Sequence, residues 1–184
     1  MKPQELGQIG EYVAEIFLRQ NGYITWRPVK FIRFLELAVA YEGIRGESCE
    51  KEPPEPLTLT VPTDVGYISL TYWRGRCLSI DGRRITQLEY SIYAPCVKKC
   101  IKKAMGPLLE VFRPIARELL SYRRVLKTFD LFAFKNGVIY AVEVKTNGGK
   151  ISDIQREKVV VLKNIRHLLI HVYLQSPVVK LERL

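Results

Sequence analysis

The sequence predicts an α/β protein, and three observations carry that prediction. An amphipathic helix opens the chain, a strand-turn-strand unit centred on Asn136-Gly137 lies in its last third, and a helical pattern followed by an apolar strand closes it. The 184 residues suit one domain, or one domain with a large insertion, and are ample for a hydrophobic core. Lys and Arg (29) exceed Asp and Glu (19) by ten, so a polyanionic partner such as nucleic acid or an anionic membrane surface is expected, the alternative being a small protein that is simply basic.

Taken in order, Leu6, Ile9, Val13, Ile16 and Phe17 recur at helical spacing from Pro3 to Asn21, and Asn21-Gly22 supplies a stop. Tyr23 to Val29 reads as a short strand whose end Pro28 places near a sheet edge or a bend. An apolar stretch follows from Phe31 to Tyr41, then the acidic, proline-rich CEKEPPEP at 49–56. The runs LTLTV, VGYISLTYW and QLEYSIY read as strands, with IDGR as a turn, so a β-rich insertion is expected here. Residues 95–104 and 107–127 read as helices opening on Pro95 and Pro107, with Pro114 expected to kink the second.

Residues 129–146, FDLFAFKNGVIYAVEVKT, form two β-prone runs around Asn136-Gly137, a strong signal for a two-residue hairpin. A helix is expected from about Ser152 to His167, opened by Ser152 and Gln155 as a capping box, and LLIHVYLQ is the last strand. Outside the insertion the order is helix, strand, strand, strand, helix, strand. The expected division is 1–30 with 123–184 as one core and 31–122 as the insertion. The insertion holds 13 basic and 11 acidic residues, a net of +2, whereas the flanks hold 16 and 8, a net of +8. The basic excess therefore lies in the core.

A two-residue turn sets Lys135 opposite Val138 and Asp130 opposite Glu143, with Lys145 on the same face. Phe132, Phe134, Ile139 and Ala141 continue that face, and Leu131, Ala133, Val138, Tyr140, Val142 and Val144 make the other one apolar, so a hairpin buried on both sides is expected. Two facing carboxylates repel each other, and a divalent cation would neutralise them. Mg²⁺ takes one or two carboxylates together with waters and phosphate oxygens. Lys145 would then orient water or stabilise charge on a phosphate. The competing reading is a surface hairpin end where one lysine balances two acids.

Asp130, twelve residues, then Glu143-Val144-Lys145 resembles the core motif of the PD-(D/E)XK nuclease superfamily, with Phe129 in place of the nominal proline. The opening GQIGEYVAEIFLRQNGY resembles the first helix of its archaeal junction-resolvase-like and restriction-endonuclease-like branches, where a catalytic Glu stands at the position of Glu11. On the helical wheel Glu11 shares a stripe with Gly7, Ala14 and Leu18, and a solvated Glu11 or the adjacent Glu15 are the alternatives. The resemblance implies a restriction-endonuclease-like αβββαβ core, a central mixed sheet flanked by helices, carrying a β-rich and helical insertion. It implies a metal-dependent DNA nuclease using Mg²⁺ or Mn²⁺, with Asp130, Glu143, the Val144 carbonyl and Glu11 as ligands. Lys145 would be catalytic, and Gln155 would stand near the site unless it serves only as a helix cap. Lys150, Arg156 and Lys158 are candidate DNA contacts, as are Arg123 and Arg124 by their charge, with a solvated helix face as the alternative for that pair. The alternatives are a non-catalytic nucleic-acid-binding protein of the same fold and a structural or assembly protein.

Other residues carry weaker signals. Cys49, Cys77, Cys96 and Cys100 leave three readings open: a zinc site, unpaired thiols, or disulfides. Tyr72, Trp73, Tyr90 and Tyr93 could stack bases or fill a core. His167 and His171 are expected to be structural. The iron–sulfur branch of the superfamily needs cysteines after the lysine, and none follows Cys100. No secretory leader or spanning segment is read, so a cytoplasmic location is expected, with DNA as partner, no membrane, and a homodimer compatible with two-strand cutting.

Overall fold

The computed structural model describes residues 3–46, 48–78, 82–149, 160–163, 165–174 and 178–183. It is a mixed α/β structure with two mixed sheets, divided into two compact units: residues 1–32 with 122–184, and residues 33–121.

The first unit holds a five-stranded sheet. Helix α1 (Pro3–Gln20) ends at Asn21-Gly22, where Gly22 takes φ of 79° and its amide donates to the Arg19 carbonyl. Strand β1 (Ile24–Trp26) pairs antiparallel with β6 (Leu131–Lys135), which turns through Asn136-Gly137 into β7 (Val138–Thr146). Both turn residues have positive φ, as a tight hairpin between right-twisting strands requires. The register is the expected one, with Lys135 against Val138 and Leu131 against Val142. Strand β8 (Arg166–Tyr173) then pairs parallel with β7, and β9 (Val178–Arg183) antiparallel with β8, giving the order β1-β6-β7-β8-β9.

One face of this sheet is covered by α1. Ala14 and Leu18, both fully buried, pack on Leu131, Ala133, Val142, Val144, Leu168, Ile170 and Val172. On the other face Phe31 stacks on Phe132, ring centroids 4.0 Å apart, and Phe129 meets Phe132 edge-on. The hairpin interior is thus buried on both sides.

The second unit carries a four-stranded sheet in the order β4-β3-β2-β5, from β2 (Leu57–Thr63), β3 (Gly66–Trp73), β4 (Arg76–Leu78) and β5 (Arg83–Arg84). Strands β2, β3 and β4 pair antiparallel in sequence, while β5 returns parallel to β2. Helices α3 (Gln87–Met105) and α4 (Leu108–Ser121) complete it. The cysteines form two disulfides, Cys49 with Cys96 and Cys77 with Cys100.

Several expected elements differ. Pro28 and Val29 do not end a strand; they open helix α2 (Pro28–Gly43), within which the division between the two units falls. Proline suits a first helical turn because its missing N–H costs nothing there. The segment QLEYSIY is helical: Thr86 accepts from the Glu89 amide while Glu89 reaches back to the Thr86 amide, and this capping box starts α3. Pro95 therefore lies inside α3 rather than at its start, and Pro114 lies inside α4 without interrupting it. The 107–127 helix is two, since α4 ends at Ser121 and α5 spans Arg123–Leu126. The helix expected over 152–167 falls mostly outside the described residues, but Arg166 and His167 already belong to β8. Strand β9 was not anticipated. No helix among the described residues is long and apolar enough to cross a membrane.

His167 is buried, with Nε2 3.3 Å from the Leu162 carbonyl and its ring against Phe129. Burial pushes its pKa below the ordinary 6.5, and the Leu162 contact only partly offsets this. Above the unfolded-state pKa the neutral ring costs nothing in either state; below it the unfolded chain binds the proton more readily, so stability falls as pH drops towards the folded-state pKa. Urea melts should show wild type losing stability as pH falls below about 6.5, and His167→Gln should show a shallower loss over the same range.

Candidate active site

The two strands of the hairpin have different lengths, and that difference builds the site. Strand β7 continues past Val142 to pair with β8, matching Glu143 with Leu169, Val144 with Ile170 and Lys145 with His171. Strand β6 has no residue left to oppose it there. The Val144 amide, pointing towards the β6 side, would be left without a ladder partner. The Asp130 carboxylate takes that role: Oδ2 accepts from the Val144 N–H at 2.7 Å. The Asp130 amide donates to the Val142 carbonyl at 3.2 Å, so the chain bends here and the regular ladder stops at Leu131 and Val142. Asp130 is not one more ladder pair opposite Glu143; it folds onto the backbone of the next residue.

Glu143 is 3% exposed, although it is a carboxylate. Lys145, two residues on, is half-buried and emerges on the same face by strand alternation. Its side chain lies against the Thr146–Gly149 turn, where a Cβ added to Gly149 would stand 3.6 Å from Lys145 Cδ. The neighbours of this face are apolar, with Phe132, Ala141 and Phe129 all buried. In such surroundings an ionised carboxylate is costly unless paired or bound to a cation.

Oxygen donors dominate this end of the hairpin. They are the carboxylates of Asp130 and Glu143 and the Val144 carbonyl, which projects to the same side of an extended strand as its own N–H. Hard oxygen donors of this kind fit Mg²⁺ or Mn²⁺ and do not favour a soft metal.

Helix α1 approaches this end closely. A Cβ on Gly10 would lie 2.6 Å from Thr146 Oγ1 and 3.3 Å from its Cγ2, so glycine sets the spacing between α1 and the end of β7. The buried stripe of α1 is the one containing Ala14 and Leu18, while Ile9 and Ile16 of the larger apolar set are exposed. Glu11 is partly exposed and ion-paired with Arg27, whose Nε also lies 3.2 Å from Glu15. Glu15 is tied further to Arg19 at 2.6 Å. Glu11, Asp130 and Glu143 do not bring three ligand atoms within 4.8 Å of one another. Among the described residues only Cys49, Glu52 and Cys96 do so. In that group the two sulfurs are bonded to each other and Glu52 accepts from Tyr72.

Arg123 and Arg124 are exposed on α5, the short helix that leads into Asp130. Lys150, Gln155, Arg156 and Lys158 lie outside the described residues. Of the four aromatics in the insertion, Tyr72 and Tyr93 are buried, whereas Trp73 and Tyr90 are partly exposed and Trp73 carries the Arg74 guanidinium over its ring. Burial and the hydrogen bond to Glu52 push the Tyr72 phenol up to about 12. Two partners of expected site residues were not anticipated: Arg27, which holds Glu11, and His171, the register partner of Lys145. A strand register offset across a long crossover, or an arginine beyond the first strand, leaves no periodic signal in a single sequence.

No family model matches the chain, and no curated protein or solved structure matches it.

The glycine spacing is testable. Gly10→Ala should destabilise by about 1–3 kcal/mol, the usual cost of overpacking, because the stiff β-branched Thr146 has little room to yield. Gly7→Ala meets nothing within 4 Å and should stabilise by up to about 1 kcal/mol through helix propensity. Thermal or urea melts of the two variants check both signs.

Proposed function

We propose that the chain is a metal-dependent DNA nuclease of PD-(D/E)XK type, hydrolysing phosphodiester bonds. The observation that carries the reading is the hydrogen bond from the Val144 amide to Asp130, which gathers Asp130, Glu143 and Lys145 at the open end of one hairpin. The strand order and directions of the first unit, with α1 on one face, support a restriction-endonuclease-like αβββαβ core. In this reading the second unit is an insertion that adjusts substrate choice, the location is intracellular, and the partner is DNA, with a homodimer for two-strand cutting. Disulfides inside a cell fit best with the intracellular proteins of hyperthermophiles, where such bonds are common.

Asp130, Glu143 and the Val144 carbonyl would hold Mg²⁺ or Mn²⁺. When bound, such an ion polarises a phosphoryl oxygen and lowers the pKa of a coordinated water. Asp130 is oriented by the backbone before any substrate arrives, so little reorganisation is needed. The buried surroundings of Glu143 exclude bulk water and strengthen every charge interaction nearby. Lys145 holds a positive charge on the same face, suited to stabilising negative charge that builds up on the phosphate and to orienting the attacking water. Arg123 and Arg124 offer exposed positive charge for the DNA backbone.

A second reading, a DNA-binding protein of this fold without cleavage, draws support from the Glu11–Arg27 ion pair, because Glu11 is then occupied in holding β1 to α1. Cleavage separates the two. Asp130→Asn keeps an oxygen that can accept from Val144, so it should fold with little loss of stability and cut nothing. Asp130→Ala leaves that amide unsatisfied and should cost about 1–3 kcal/mol as well. Lys145→Ala should keep metal binding while turnover on plasmid DNA with Mg²⁺ falls about 10²-fold or more. Cutting at the wild-type rate by either Asp130→Asn or Lys145→Ala would remove the assigned site.

A further inference from the structure

The second unit contains a cleft of about 800 Å³. Its floor is the outer side of β2. Along that strand Leu57, Leu59 and Val61 are buried, so the alternate residues Thr58 and Thr60 face the cleft. Strand β5 pairs parallel with β2, Thr58 opposite Arg84, and Arg84 shares the Thr58 face. The adjacent Arg83 lies on the other side, held by Glu55 and Glu89 at 2.6 and 2.5 Å. Two neighbouring arginines are thus sorted: Arg83 is neutralised within the fold, while Arg84 lines the cleft and makes no ion pair with a described residue. Arg45 also lines the cleft and likewise makes no ion pair with a described residue. The described lining contains these two arginines and no acidic side chain.

The wall is the first part of α3, and it presents Tyr90, half-buried. Burial raises the Tyr90 pKa, so the ring stays a neutral phenol at physiological pH. Ile85, Pro62 and Ala94 add apolar side chains to the lining. The N-terminus of α3 is not the anion site, since Thr86 and Glu89 already satisfy it.

Near each arginine stands a glycine that no other residue could replace without movement. Gly46 has φ of 88°, and a Cβ there would stand 2.8 Å from the Pro95 ring of α3. A Cβ on Gly82 would stand 2.8 Å from the backbone carbonyl of Pro56, and Thr58 fastens Gly82 by accepting from its amide and donating to its carbonyl. The walls are set by backbone packing, so the cleft is formed before a ligand arrives.

An aromatic side chain, a floor whose Thr58 and Thr60 hydroxyls are satisfied within the fold, and two cations without acidic partners among the described residues match a flat heterocycle joined to phosphate. A base inside a duplex cannot reach into a cleft of this kind, whereas an unpaired one can. Resting on the nuclease reading, we infer that this cleft binds an unpaired nucleotide of a single-stranded segment, with its base on Tyr90 and its phosphates on Arg45 and Arg84. The substrate class of the proposed nuclease is then DNA carrying a single-stranded portion, such as a flap, a gap or a frayed end, in preference to continuous duplex.

The test uses the full chain in EDTA, so that binding is read apart from cleavage, with fluorescence anisotropy of a labelled short oligothymidine and of a blunt duplex. Tyr90→Ala should weaken oligothymidine binding roughly tenfold or more, the scale of one lost base–aromatic stack, while Tyr90→Phe keeps the affinity. The Arg45→Ala/Arg84→Ala double variant replaces exposed side chains, so it keeps the test open even if Tyr90→Ala fails to fold. It should weaken binding and lower the slope of log affinity against log salt by about 0.7 for each arginine. Duplex binding should change little in all three. Wild-type oligothymidine affinity in both Tyr90→Ala and the double arginine variant overturns the inference. So does an equal loss on duplex, or displacement of the oligonucleotide by polyglutamate of matched charge. If wild type binds oligothymidine through the cleft but cuts no DNA with Mg²⁺ present, the cleft stands and the nuclease reading falls. If it cuts DNA while the cleft variants bind as wild type does, the reverse holds.

Discussion

The first unit depends on how one backbone amide is satisfied. Strand β7 outruns β6 by a few residues, and the N–H of Val144 is left facing a strand that has ended. The Asp130 carboxylate accepts from it at 2.7 Å, an ionic hydrogen bond to backbone of the stronger kind. This contact stops the ladder, turns the chain back towards α5, and fixes an acidic oxygen beside Glu143 and Lys145. A residue at 130 without a side-chain acceptor would leave that amide unsatisfied.

The rest of the unit keeps this end rigid and partly dry. Helix α1 lies against the sheet through Ala14 and Leu18, and Gly10 lets it come down on Thr146 at the close of β7. On the opposite face Phe31, Phe132 and Phe129 form an aromatic layer beside which Glu143 is almost wholly buried. A carboxylate in such surroundings opposes folding unless it is paired or bound to a cation. The Arg27 pairing with Glu11 and Glu15 ties α1 to the end of β1, and its exposure makes it a modest contributor to stability.

How much was legible in the sequence depended on the range of the signal. Asn136-Gly137 fixes a hairpin locally, and once its register is known the proximity of Asp130, Glu143 and Lys145 follows by counting. Only the last step failed, because a strand's end is decided by tertiary pairing and Asp130 bends out of the ladder to reach Val144. Helix α2 was hidden because Phe31, Ile32, Leu35, Ala38, Val39 and Ala40 bury most of its circumference and blur the helical period. QLEYSIY looks like a strand by composition, yet the Thr86–Glu89 capping box overrides that preference. On α1 the bulky apolar residues drew attention, whereas the small stripe of Gly10 and Ala14 is what meets the sheet. His171 meets Lys145, and Arg27 meets Glu11, through pairing across distant segments, which one sequence does not encode in any local pattern.

The central claim is that the end of the hairpin is a hard-cation site. A crystal of the full chain soaked in Mn²⁺ and measured at the manganese absorption edge tests it without reference to any substrate. Anomalous density is expected within coordination distance of Asp130 and Glu143, with oxygen ligands at about 2.0–2.2 Å and water completing the shell. Density elsewhere, or none at Asp130 and Glu143 at millimolar Mn²⁺, would contradict it.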